Sequence, residues 1–157
     1  MIYDSRMQFS AAQDITCTAG ATVNSSNVYD SGSVTRDLGQ GADLFFAVEV
    51  TQDIVAAGGG TFTIQLVSSA SASLTAPNVH ASTTLTTQAT NGTVANKTAA
   101  GCQAMCTAFP ANGLPYLEYI GVIYGATSQN VNSGKVNAYT MLDPVDHPVY
   151  PGVANLV

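Results

Sequence analysis

Residues 58–67 read GGGTFTIQLV. From Thr61 onward the side chains alternate. Phe62, Ile64 and Leu66 point one way, and Thr61, Thr63 and Gln65 point the other. Successive side chains of a strand project from opposite faces, so this pattern describes a strand with one face buried and one face wet. A helix would scatter the same residues around its axis. The three glycines stand before a strand rather than a helix, so they read as a flexible loop and not as a phosphate cradle.

The same period recurs on either side. ADLFFAVEV (42–50) sets Leu44, Phe46, Val48 and Val50 against Phe45, Ala47 and Glu49. GKVNAYTMLD (134–143) sets Val136, Ala138, Thr140 and Leu142 against Asn137, Tyr139 and Met141. YLEYIGVIYG (116–125) is apolar on both faces, as in a central or covered strand. Weaker strands are expected at 13–19, 22–29, 78–87 and 101–109. SGS, GQG, NG, PANG and NSG supply the turns between them. About eight strands at this spacing predict an all-β fold, an antiparallel jelly-roll-like β-sandwich over residues 1–143.

Composition narrows the function classes. Of 157 residues, 46% are hydrophobic and only 9% charged, which suits strands and turns more than exposed helices. The four cations, Arg6, Arg36, Lys97 and Lys135, are scattered, so no basic stripe is available for nucleic acid. No stretch approaches the roughly 18 apolar residues of a membrane helix, and residues 1–10 lack the basic start and apolar run of a secretory signal. With three cysteines, an odd number, the expectation is reduced thiols and synthesis in the cytoplasm.

Candidate chemistry is sparse. Cys102 and Cys106 lie four apart, about 13 Å along a strand, too far for a mutual disulfide or a shared metal ion. They are expected to be small buried residues, as is Cys17. His80 falls in line with Asn78, Ser82 and Thr84, and His147 lies between Asp146 and Pro148; both read as surface histidines. No serine sits in a Gly-x-Ser-x-Gly elbow, and the aspartates have no calcium-loop spacing. The expectation is no catalytic residue, no metal and no cofactor.

Interaction surfaces remain. Strand 116–125 needs cover on its second face, from a neighbouring chain or from the tail, which nominates Tyr119 and Tyr124 as contact residues. The tail, DPVDHPVYPGVANLV (143–157), carries Pro144, Pro148 and Pro151, which oppose helix and regular ladder alike. Residues 144–157 therefore read as an extended arm. Its apolar residues, Val145, Val149 and Tyr150 among them, suit an arm laid over a neighbouring subunit, with Val149 and Tyr150 as anchors; a flexible terminal tail is the alternative reading.

MIYDSRMQFSAAQDIT at the start, RDLGQGADLFFAVEV, and the closing pair PYLEYIGVIYG and SGKVNAYTMLD form one further pattern. Its most distinctive pieces are Tyr3, Asp4, Phe9 and Ser10; Arg36, Asp37, Leu38 and Gly39; Tyr116 and Leu117; and Ala138, Leu142 and Asp143. Over residues 1–143 the chain resembles the capsid cement (decoration) proteins of tailed bacteriophages of the Bordetella phage type. It departs from them in 70–100 and in running past the closing Leu142-Asp143. The resemblance implies a jelly-roll-like sandwich on the virion exterior. There it locks neighbouring major capsid protein subunits and contacts itself as a homo-oligomer, a dimer. Two other classes are compatible with the residues. One is a receptor-binding or tail-associated module for a host glycan or protein, using Tyr29, Tyr119, Tyr124 or Tyr150. The other is a small hydrolase or carbohydrate-binding enzyme on the same fold, against which the absence of clustered carboxylates or histidines argues.

Overall fold

The computed structural model of the chain describes residues 3–32, 44–56, 58–89, 97–110 and 114–142. Among these, every regular element is a strand. In chain order they are β1 (Tyr3–Asp14), β2 (Thr22–Asn24), β3 (Tyr29–Asp30), β4 (Phe45–Ala56), β5 (Thr61–Ser69), β6 (Asn78–Thr86), β7 (Gln88–Ala89), β8 (Gln103–Ala108), β9 (Tyr119–Ala126) and β10 (Val131–Met141).

The strands form two sheets. One runs β1-β10-β4, with β8 and β7 both on the far side of β4. The other runs β9-β5-β6, with β2 and β3 both on the outer side of β9. The long-range pairs are nested. First meets last (β1 with β10), β2 and β3 meet β9, β4 meets β8, and β5 meets β6. A long hairpin rolled up on itself gives this nesting, so the sandwich is a jelly roll. All pairings are antiparallel except the short one between β4 and β7.

The alternating residues meet between the sheets. Phe46, Val48 and Val50 of β4 and Val136 and Ala138 of β10 face Phe62, Ile64 and Leu66 of β5 and Ile120, Val122 and Tyr124 of β9. Phe9 packs edge-on to Phe46, with ring centres 6.0 Å apart. Phe62 stacks on Tyr124 at 6.3 Å. A second, smaller cluster of Ala47, Tyr139, Met141 and Phe45 uses the opposite face of β4 and β10. Thr140 is buried on the core side, and its hydroxyl has no hydrogen-bond partner.

Several expectations are corrected. The first strand covers Tyr3–Asp14 rather than 13–19. Its register against β10 shifts between Tyr3 and Gln8, Gln8 and Ser10, and Ser10 and Gln13, which destroys the period-two signal. In β8, Ala104 is the extra residue between the pairs Val48–Met105 and Glu49–Gln103. That bulge turns Met105 and Phe109 to the core, leaving Cys106 exposed and Cys102 half-buried rather than buried. Cys17 is half-buried as well. Leu142, expected on the core face, lies beyond the end of β10 and is half exposed.

The second face of β9 is covered in part from within the described chain. Loop 70–77 folds over it and places Leu74 against Gly121. Asn24 Nδ2 donates to Ser73 O (2.9 Å) and Ser69 Oγ to Thr75 O (2.7 Å), which pins the loop. A Cβ on Gly121 would sit 2.7 Å from Leu74 Cδ1, so any side chain there would make Leu74 shift.

Candidate interaction groove

The two open sides of the sandwich differ. Where β1 meets β2 and β3, side chains and backbone stitch the sheets together. Asn27 donates from its amide to Phe9 O (2.9 Å) and from Nδ2 to Gln8 O (2.8 Å). Gln13 donates to Asn24 O and accepts from the Ser26 amide, each at 2.7 Å. On the opposite side, the edge strands β6 and β8 are separated by a groove of about 910 Å³. Among the described residues β6 pairs only with β5 and β8 only with β4, so each turns an unpaired backbone edge outward.

One wall of the groove carries His80 and Phe109, with Tyr116 buried between them. His80 of β6 stacks on Tyr116 with ring centres 3.7 Å apart and planes 15° from parallel. Tyr116 stacks on Phe109 at 5.7 Å and donates its hydroxyl to Pro110 O (2.9 Å). His80 Nε2 lies 2.7 Å from Ser68 Oγ, which also accepts the Leu117 amide at 3.0 Å. The Ser68 hydroxyl can donate to Nε2 or accept from it, according to the imidazole tautomer. Burial pushes the His80 pKa down, which favours the neutral ring. Ser68 is fully buried, so this serine–histidine pair is a structural clamp between β5 and β6 and offers a substrate no nucleophile. His80 is thus half-buried and engaged, not the surface residue its polar neighbours suggested.

The remaining lining is mixed. Met105, Ala104 and Ala81 line it together with Ser82, Thr107 and Gln103, and among the described residues Lys97 is the one charged side chain of the lining. Cys106 lines the groove as a free thiol whose pKa is pushed up by desolvation. Among the described residues no group of three or more metal-ligating side chains comes together, and no helix is long and apolar enough to cross a membrane.

The nominated contact residues part ways. Tyr124 is fully buried, stacked on Phe62 and bonded to Ser10 Oγ at 2.8 Å, so it is core and not a surface anchor. On the core side its strand is filled from within; on the other, Leu74 covers Gly121, while Tyr119 and Ile123 stay half-buried. Tyr119 is half-buried at the start of β9, beside Glu118 and Asp30, which push its phenol pKa up in that order. Tyr29 is half-buried and packs on the core. Val145, Val149 and Tyr150 lie outside the described residues. Ser68 and Tyr116 were not singled out as a pair with His80. The only trace of the clamp in sequence is Ser68-Ser69 closing an apolar strand, both fully buried.

A family model described as Bbp16 matches residues 9–140. The chain belongs to the Bbp16 family. Bbp16 is the name of a Bordetella phage protein, which agrees with the phage resemblance of the sequence. The matched span runs from within β1 to within β10 and so takes in both sheets, including the 70–100 stretch where that resemblance weakens. No curated protein matches the chain.

Proposed function

We propose that the protein is a structural capsid cement protein. It binds the outside of an assembled tailed-phage capsid, stabilises contacts between major capsid protein subunits, and contacts its own copies as a homo-oligomer. It acts by binding and not by catalysis, and its place is the virion exterior. Membership of the Bbp16 family across the whole sandwich carries this reading. The fold is compatible with it: a jelly roll with one stitched side, a packed core and the Ser68 hydroxyl buried against His80. A ligand of the assembled state alone adds RT ln(1 + [L]/Kd) per site, about 2.7 kcal/mol at a hundredfold excess over Kd, and many sites on a shell add up.

The test is add-back to phage particles made without the protein. It should co-sediment with assembled shells, ignore free capsid subunits, and raise the temperature at which particles release DNA. No co-sedimentation, with particles equally robust in its absence, would refute the proposal. Binding to a host surface glycan or protein instead would place it among receptor binders.

A further inference from the structure

We propose that the edge of β6 is a self-association surface, on which a second copy of this chain adds its own β6, antiparallel, about a two-fold axis at Thr83. Self-association is part of the function proposed above, on which this surface rests; capsid binding is not needed for it. Residues 61–66 of β5 pair in unbroken register with residues 81–86 of β6. One step beyond, the Thr87 amide donates to Gly60 O at 2.8 Å, so that pair is of the hydrogen-bonded kind. The two kinds of pair alternate along an antiparallel ladder. Leu85, Thr83 and Ala81 therefore bond to β5, while Ser82, Thr84 and Thr86 turn amide and carbonyl away from it. Thr86 O accepts from the Thr98 hydroxyl (3.4 Å), a group outside β5, as the alternation requires. Among the described residues the amides and carbonyls of Ser82 and Thr84 meet no partner. Such an edge is a template for a further strand.

The composition of β6 favours its own copy as that strand. Edges that resist pairing carry lysine, proline, an inward charge or a bulge. ASTTLT (81–86) has none of these, and the one irregularity of the ladder lies before it, at His80. The chain carries a net charge of −6, so two copies repel over much of their surface. Asn78–Thr86 contains no charged residue, so two copies of this strand meet without like charges opposed. Antiparallel pairing of a strand with itself is isologous and closes as a dimer, which removes both edges rather than passing them on. β8, the neighbouring edge strand, is shorter and bulged at Ala104.

The bonded groups also select the register. With the axis at Thr83, Ser82 faces the partner's Thr84, the two exchange both N–H···O bonds, and the axis repeats the exchange. Each group in these bonds is one that β5 leaves unbonded. An axis at Thr84 would ask Thr86 O, already held by Thr98, to accept a second bond. An axis at Ser82 would carry the ladder onto the irregularity at His80. With the axis at Thr83, that residue faces the partner's Thr83 in a non-hydrogen-bonded pair, with Cα atoms about 4.5 Å apart.

Disulfide trapping reads that register. In full-length protein with Cys17→Ala, Cys102→Ala and Cys106→Ala, a single cysteine is placed by Ser82→Cys, Thr83→Cys or Thr84→Cys. Mild oxidation should link Thr83→Cys into a dimer about fivefold more than either neighbour, because only there do identical residues face each other within disulfide reach. In the otherwise native full-length chain, sedimentation equilibrium should show a dimer. Ser82→Pro removes an amide that β5 does not use, so circular dichroism should stay that of the parent. It should weaken the dimer at least about thirtyfold, because the axis makes each copy's loss count twice. Thr84→Lys, at an exposed position that accepts a charge in the monomer, should weaken it about fivefold. A monomer at every concentration would overturn the self-association and this surface together. A dimer indifferent to Ser82→Pro and Thr84→Lys, with no preference for Thr83→Cys, would overturn this surface alone and leave self-association to another. Capsid add-back, measured separately, tests the cement reading.

Discussion

The Tyr124 hydroxyl meets Ser10 Oγ at 2.8 Å between the two sheets, and Ser10 in turn donates to Gln13 Oε1 at 2.6 Å. This relay ties β9 to β1 and, through Gln13, to Asn24 and Ser26. Burial pushes the phenol pKa far up, so the group is a neutral donor throughout the physiological range. Tyr124→Phe keeps the stacking on Phe62 and loses one buried hydrogen bond, about 1 kcal/mol. Urea melts should show that loss with an unchanged slope. Tyr124→Asp should abolish the fold. A folded Tyr124→Asp monomer defective only in assembly would return this residue to the surface.

Leu74 and Gly121 form a lock on the outer face of β9. Gly121→Ala forces a methyl against Leu74 Cδ1 and should cost about 2 kcal/mol. Leu74→Ala alone loses a buried leucine and should cost about 2 kcal/mol. The double variant should cost less than the sum by about 1 kcal/mol, because the smaller side chain makes room. Strict additivity in a chemical-denaturation cycle would mean that the loop yields at no cost.

Thr140 carries a hydroxyl into the core, opposite Phe46, with no partner. Leaving such a group desolvated costs about 1–3 kcal/mol. Thr140→Val removes it at nearly constant shape and should stabilise the protein by about 1 kcal/mol, a rise in Tm of about 3 °C. A fall in Tm by calorimetry would show that the hydroxyl is in fact satisfied.

The sheets were legible wherever one strand face is buried and the ladder is regular. β5 pairs with β9 without a register shift, and its alternation survives intact in the sequence. β1 and β8 were legible poorly or not at all, because bulges add residues that shift the parity of everything beyond them. Parity is what put Cys106 on the wrong side. The groove was not legible at all: it depends on which edges face each other, and that follows from nested pairing between strands far apart in sequence. His80 shows the limit most clearly. Its partners Ser68, twelve residues before it, and Tyr116, 36 after it, meet only in the folded chain.

The same His80 gives the fold a dependence on pH. In the unfolded chain its imidazole titrates near 6.5, and burial beside Tyr116 lowers that value in the folded protein. Between the folded and unfolded values the unfolded chain binds more protons, so stability rises with pH. The contribution is complete above about pH 6.5 and is lost as pH falls through the lower, folded value. Protonation makes Nε2 a donor, so the bond to Ser68 Oγ then runs from ring to hydroxyl, and the cost falls on burying the charged ring beside Tyr116. Asp14 titrates in a separate window. The Thr16 amide at 2.8 Å lowers its carboxyl below 3.8, so its contribution is present above that pH and lost only in stronger acid. His80→Gln retains a polar partner for Ser68 but does not titrate. Melts of the two proteins from pH 7.5 to 4.5 should therefore diverge in slope below pH 6.5, the variant being flatter. His147 is common to both and cancels in the difference. Parallel curves would show that the ring column accepts a proton without loss, and that the clamp between β5 and β6 does not sense pH.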